Sequence, residues 1–253
     1  MSDPWIDLRR FTQARIALGR TGHAIPTPAL LEFQLAHAQA RDAVHFPWDI
    51  STFAEQAWEF GQEVLRLDTP VSSRSEYLRR PDLGRVLTEA SRTRLRDYNA
   101  GGADVALIVT NGLSSTAVER HGIALLQAIV EGFRARQISI APICLVANGR
   151  VALADDIGSL LAARAAVIIV GERPGLSAAD SLGLYLTFAP RPGNTDAERN
   201  CISNVRPPDG LGYAAAAAKL LYLTEESLRR GISGVGLKDR MGEIGVPERE
   251  SRH

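Results

Sequence analysis

Two cysteines in 253 residues, Cys144 and Cys201, cannot build the disulfide framework on which small secreted domains depend. Lysine is absent from the first hundred residues, where 13 arginines stand against 13 acidic side chains, and the whole chain sets 29 basic residues against 29 acidic ones. The clustered basic excess of a nucleic-acid binder is therefore missing, and nucleic acid is not an expected partner. No apolar run approaches the ~18 residues of a membrane span. The opening "MSDPWIDLRRFTQ" lacks the apolar core of a secretory signal. Together these absences predict a soluble, cytoplasmic protein with no membrane partner.

What is present suffices for a core: 45% of residues are hydrophobic and 23% charged, an ordinary globular balance. The first hundred residues read as helical. "TPALLEFQLAHAQARDAVH" (27–45) offers Thr27 as a cap and Pro28 at the first helical position, where a missing N–H costs nothing. "STFAEQAWEFGQEVLRL" (51–67) spaces Phe53, Ala57, Phe60, Val64 and Leu67 by fours and threes, one apolar helix face. A shorter helix is expected within 83–99, before Gly101-Gly102.

Beyond that point the pattern alternates. "ADVALIVT" (103–110), "QISIAPICLVA" (137–147), "AVIIVG" (166–171) and "LYLTFAP" (184–190) read as strands. The segments 115–136, capped by Ser114 or Ser115, 152–165 and 213–230 read as helices. Strands alternating with helices imply crossover units. The expected fold is α/β, a Rossmann-like parallel sheet flanked by helices and preceded by a helical N-terminal arm. The arm is assigned to residues 1–100 and the sheet domain to residues 101–253.

Open parallel sheets bind ligands in the crevice beyond the carboxyl ends of their strands. The segments expected there are glycine-rich and polar: "NGLSS" (111–115), "NGRVALADD" (148–156), "GERPGLSAADS" (171–181) and "RPGNTDAERNCISN" (191–204). The last places Cys201, a residue type usually buried, on the expected ligand edge. A G-x-G-x-x-G fingerprint does not follow the first strand, and no phosphate-loop G-x-x-x-x-G-K-[ST] occurs. His37, Arg41 and His45 share a helix face, but the guanidinium between the imidazoles would repel a metal cation, so this face is read as meeting solvent or a partner. His121 reads as a packed or surface histidine. Asp155, Asp156, Glu172, Asp180, Asp196 and Glu198 could supply a hydrolytic carboxylate pair, although loop carboxylates more often cap helices or bind arginines. No Ser–His–acid or Cys–His set emerges from spacing. The residues by themselves describe a ligand-binding domain with no catalytic set and no metal site.

Several ordered segments carry a resemblance: "LRRFTQARIALGRTGHAIPT", "LLEFQLAHAQARDAVH", "SEYLRRPDLGR", "GRVALADDIGSLL", "GERPGLSAADSLGLYLTFAPRPG", "TDAERNCISNVRP" and "ISGVGLKD". Spread from Asp7 to Asp239, they resemble the small (light) subunit of ethanolamine ammonia-lyase. The resemblance implies a hetero-oligomer with a large barrel subunit that converts ethanolamine to acetaldehyde and ammonia, with adenosylcobalamin as cofactor and the small subunit inactive alone. It implies cofactor contacts at Val151 in "GRVAL", Glu172 in "GERPG" and Cys201 in "ERNCISN". Each has a plainer alternative: Val151 packs, Glu172 pairs with Arg173 or a neighbouring arginine, and Cys201 is a small spacer without a redox role. No D-x-H-x-x-G motif is present, so the cofactor is expected to keep its own base on cobalt. The face Gln34, His37, Arg41 and His45 becomes an expected large-subunit interface. Packaging in a bacterial microcompartment, which goes with a longer N-terminal segment in the family, is a further expected location. Two other classes stay open: a cobalamin-sequestering or sensing module, and a nucleotide-binding protein or hydrolase.

Overall fold

Strands such as "VALIVT" and "AAVIIVG" carry almost no polar alternation, so they must be covered on both faces. The computed structural model describes residues 3–98 and 101–241 and covers them with two helical layers. Residue Asn99, at the end of the helix expected within 83–99, and residues 242–253, the end of the expected sheet domain, lie outside the described residues. In chain order the elements are α1 (Thr27–His45), α2 (Ile50–Trp58), β1 (Val64–Leu67), α3 (Arg74–Arg79), α4 (Glu89–Asp97), β2 (Val105–Thr110) and α5 (Ser115–Ala117). There follow α6 (Ile123–Ala135), β3 (Ile143–Val146), α7 (Leu153–Leu160), β4 (Ala165–Gly171), β5 (Leu182–Phe188), β6 (Arg199–Val205) and α8 (Tyr213–Arg230).

The six-stranded sheet has the order β1-β3-β2-β4-β5-β6. The first three pairings are parallel and the last two antiparallel, so β5 alone runs against the rest. The fold is α/β, and the sheet expected to be mainly parallel is mixed, with one antiparallel strand, β5. Leu107, Val109, Val167 and Ile169 face a layer that includes Phe53 of α2, Leu126 and Phe133 of α6 and Leu220 of α8. Ala106, Ile108, Ala166 and Ile168 face the other layer, with Leu95 of α4 and Leu153 and Ile157 of α7. Each large side chain so buried contributes roughly 1.5–3 kcal/mol. Packing, rather than helix propensity, therefore fixes the layers.

Three departures from the sequence reading matter. The first hundred residues are not wholly helical. α2 stops at Trp58, Gly61 turns the chain with φ +71°, and Val64–Leu67 pairs residue for residue with Ile143–Val146 at the sheet edge. Phe53 and Ala57 do share a buried helix face, but Val64 and Leu67 are strand residues. Second, the polar stretch 191–204 is not all loop, since Arg199–Val205 forms β6. Third, antiparallel β5 ends with Phe188 opposite Ala165, the first residue of β4. The chain therefore leaves β5 at the opposite end of the sheet from the carboxyl ends of β2, β3 and β4, and residues 194–196 return to stand beside Arg150 and Val151.

Local capping explains smaller differences. Thr27 is itself helical, and Pro26 precedes it with no side-chain cap. The Ser114 hydroxyl accepts the Ala117 N–H at 3.2 Å, and that of Thr88 accepts the Ser91 N–H at 3.3 Å. A π-helical turn, Val118–Gly122, separates α5 from α6. Among the described residues no helix is long and apolar enough to cross a membrane.

Candidate functional site

The chain leaves β2 for β3 through α6 on one face and leaves β3 for β4 through α7 on the other. With β2 lying between β3 and β4, this reversal opens a crevice at their carboxyl ends. A cavity of about 420 Å³ occupies it. Gly112 and Leu113 come from the loop after β2, Arg150 and Val151 from that after β3, and Glu172 and Arg173 from that after β4. Val170 and Gly171 of β4, with Tyr77, Tyr185 and Ser203, complete the wall.

Two of the three expected contacts, Val151 and Glu172, thus meet in one cavity. Cys201 stands beside it. It is the third residue of β6, paired with Tyr185 in mid-sheet and two residues before Ser203 on the same strand face. The expectation that it lies beyond the strand ends is therefore corrected. It lies on the open face of the β5–β6 pair, where Cys201 and Ser203 are exposed. Partial desolvation raises its thiol above the ordinary cysteine range, although the Tyr185 hydroxyl beside it works in the other direction. A thiol held protonated is a poor nucleophile.

Glu172 follows β4 directly. Its Oε1 accepts from Ser203 Oγ at 2.5 Å, and its Oε2 accepts from Ser181 Oγ at 2.7 Å and from the Asn204 N–H at 3.2 Å. Hydroxyls orient this carboxylate, and the salt bridge considered with Arg173 does not form. Gly183 makes the arrangement possible: a Cβ there would lie 2.9 Å from Glu172 Oε1. Val151 is half-buried against the α4–α7 layer, and its carbonyl accepts the Ala154 N–H at 3.1 Å as α7 begins.

The remaining carboxylates are engaged by arginines. Asp155 binds Arg199 in a two-pronged contact, both bonds 2.7 Å, with each side chain only 2% exposed. Asp156 pairs with Arg92, and Asp180 with Arg120 and Arg206. Buried His121 meets the Tyr213 hydroxyl at 2.8 Å, and its imidazole is held below the ordinary range by burial. His37, Arg41 and His45 are all exposed on α1, and no cluster able to hold a metal exists among the described residues.

The sequence reading missed the residues that shape the walls. Tyr77, fully buried in α3, donates to the Gly149 carbonyl at 2.9 Å, and the Arg150 guanidinium lies 4.5 Å from its ring centroid. Arg74 donates to the carbonyls of Val44 and Gly112, both at 2.7 Å, and to Asn148 Oδ1 at 2.9 Å. These contacts span 30 to 74 residues of chain, so no local periodicity announces them.

The arrangement offers acceptors on Glu172, cations without an ion pair among the described residues on Arg150 and Arg173, and an apolar contact at Val151, with no nucleophile–base pair. Such a wall suits a large ligand rich in amide groups, and the residues fit cobalamin in that respect: Arg150 Nε is buried without an acceptor. Comparison with known proteins agrees with the resemblance. Residues 2–238 match the family model of the ethanolamine ammonia-lyase light chain (EutC). The ethanolamine ammonia-lyase small subunits of Azotobacter vinelandii and Ralstonia nicotianae are each 57% identical over 240 residues, covering 94% of this chain and 88% of theirs. That of Pseudomonas syringae pv. tomato is 54% identical over 241 residues, covering 94% and 84%. The chain belongs to the ethanolamine ammonia-lyase light-chain (EutC) family.

Proposed function

We propose that this chain is the small subunit of an adenosylcobalamin-dependent ethanolamine ammonia-lyase, holding the cofactor between its Rossmann-like sheet domain and a large catalytic subunit. The observation that carries the reading is the meeting of Val151 and Glu172 in the crevice at the ends of β2, β3 and β4, with Cys201 on the adjoining open face. Glu172 would accept from amide N–H or ribose hydroxyl groups, Val151 would pack against the corrin rim, and Cys201 would allow close approach to β6. The cofactor, when bound, supplies the radical chemistry through its cobalt–carbon bond. This chain's part is to bind and orient: the serine hydroxyls fix Glu172 before any ligand arrives.

The outer helices of the first hundred residues would contact the large subunit. Leu30, Leu31, Phe33 and Leu35 of α1 are exposed, as are Trp5 and Phe11, and exposed apolar surface on this scale marks a partner site. Gln34, His37, Arg41 and His45 are exposed beside them. The complex would work in the cytoplasm or inside a bacterial microcompartment.

The test is a cobalamin absorbance titration of the co-expressed complex. Glu172→Ala should weaken binding by ~1–3 kcal/mol, about fivefold to 150-fold, without preventing assembly. A chain that forms no complex with a large subunit and leaves the cobalamin spectrum unchanged would sink the proposal.

A further inference from the structure

A second cavity, of about 470 Å³, adjoins the first and shares Arg150 and Val151 with it. Arg85, Arg150 and Arg199 line it, against a single acid, Asp196. Asp196 is fully exposed and comes no closer than 3.6 Å to Arg199 Nε, and Arg199 is already engaged by Asp155. Arg85 and Arg150 make no ion pair among the described residues. Arg74 adds a third uncompensated cation, 4.9 Å from the same Tyr77 ring that Arg150 stacks on. Like charges gathered in a partly dry wall repel one another unless an anion joins them.

The cluster is built rather than incidental. The Arg150 N–H donates to the Gly84 carbonyl at 2.7 Å, which seats Arg85 beside it. A Cβ on Gly84 would come within 3.2 Å of Arg150 Cγ and 2.8 Å of the Tyr77 ring, so the side chain runs in a slot between the two. The Nε atoms of Arg150 and Arg199 are both buried without a hydrogen-bond acceptor. A planar guanidinium with unsatisfied donors matches the oxygens of a phosphate better than any neutral group.

We infer that this second cavity is an oxyanion subsite in which Arg85 and Arg150 take the phosphodiester of the cofactor's nucleotide tail. The inference rests on the cobalamin reading above and adds to it a separate recognition element for the tail.

Two ligands separate the possibilities: adenosylcobalamin, and adenosylcobinamide, which has the same corrin but neither the phosphodiester nor the nucleotide base. Each is titrated into the assembled complex carrying wild-type chain, Arg150→Ala or Arg85→Ala. Arg85 is exposed, so its variant should fold even if Arg150→Ala disturbs the Tyr77 slot. Both variants are expected to bind adenosylcobalamin about tenfold more weakly, with Arg150→Lys recovering part of the loss. Arg85→Ala, outside the first cavity, should match wild type for adenosylcobinamide, and Arg150→Ala should lose less for adenosylcobinamide than for adenosylcobalamin. Inorganic phosphate should compete with adenosylcobalamin on the wild-type complex. Equal losses for both ligands, no loss for either, or phosphate binding without competition would overturn the inference and leave the cofactor reading standing. A wild-type complex that bound neither corrinoid would overturn both.

Discussion

Along β5, Leu182, Leu184 and Leu186 enter the layer that contains α8, while Gly183, Tyr185 and Thr187 alternate onto the opposite face. Along β6, Ile202 and Val205 join the same layer, and Arg199, Cys201 and Ser203 lie across from it. One pair of strands therefore has a dry side and a wet side, set by the pleat and, between Ile202 and Val205, by a register shift. The dry side holds the sheet together. The wet side carries Ser203 and the gap at Gly183, which between them let Glu172 lie over the strands. The contrast teaches that stability and ligand contact can be distributed on alternate residues of one segment, and that substitutions should be able to separate them.

The largest test challenges the division itself. Arg199 is on the wet side yet buried, and breaking its pair with Asp155 should cost about 3–5 kcal/mol. Urea denaturation of Arg199→Met should show that loss, and the double variant with Asp155→Leu should regain most of it, because two apolar groups leave no buried charge unpaired. Next comes Leu184→Ala on the dry side, expected to destabilise by about 2–5 kcal/mol. Titration of the assembled complex should find its cofactor affinity unchanged. Gly183→Ala reverses that pattern: the added methyl should displace Glu172 and weaken cofactor binding about fivefold, a loss of ~1 kcal/mol, with a melting temperature near wild type.

The smallest effect is one of pH. Burial holds His121 neutral below its ordinary value of 6.5. The unfolded chain therefore takes up a proton that the folded chain refuses as pH falls through 6.5, and stability should decline there. Denaturation at pH 7.5 and 5.5 should reveal the decline, and His121→Gln should flatten it while leaving the wet face untouched.

Much of the dry architecture was legible in the sequence, because continuous apolar runs such as 105–110 and 165–171 admit few other readings. β6 hid because Asn200, Cys201, Ser203 and Asn204 leave Ile202 and Val205 as its main apolar marks. β1 hid because Phe53 and Ala57 start a true helical spacing that Val64 and Leu67 continue by coincidence, and the break lies in Gly61. Glu172 and Val151 were found through motif resemblance, and their shared cavity follows from strand order. Tyr77, Arg74 and Ser203 were missed, since their partners are distant in sequence and their residue types are unremarkable.

Arg74 has one more implication. A single guanidinium is bonded to the end of α1 at Val44, to the lip after β2 at Gly112 and to the lip after β3 at Asn148. Outer helix and crevice rim are thereby riveted into one piece. Val44 cannot be displaced relative to either lip without tearing a hydrogen bond, so any load placed on that helix is delivered to the mouth of the crevice.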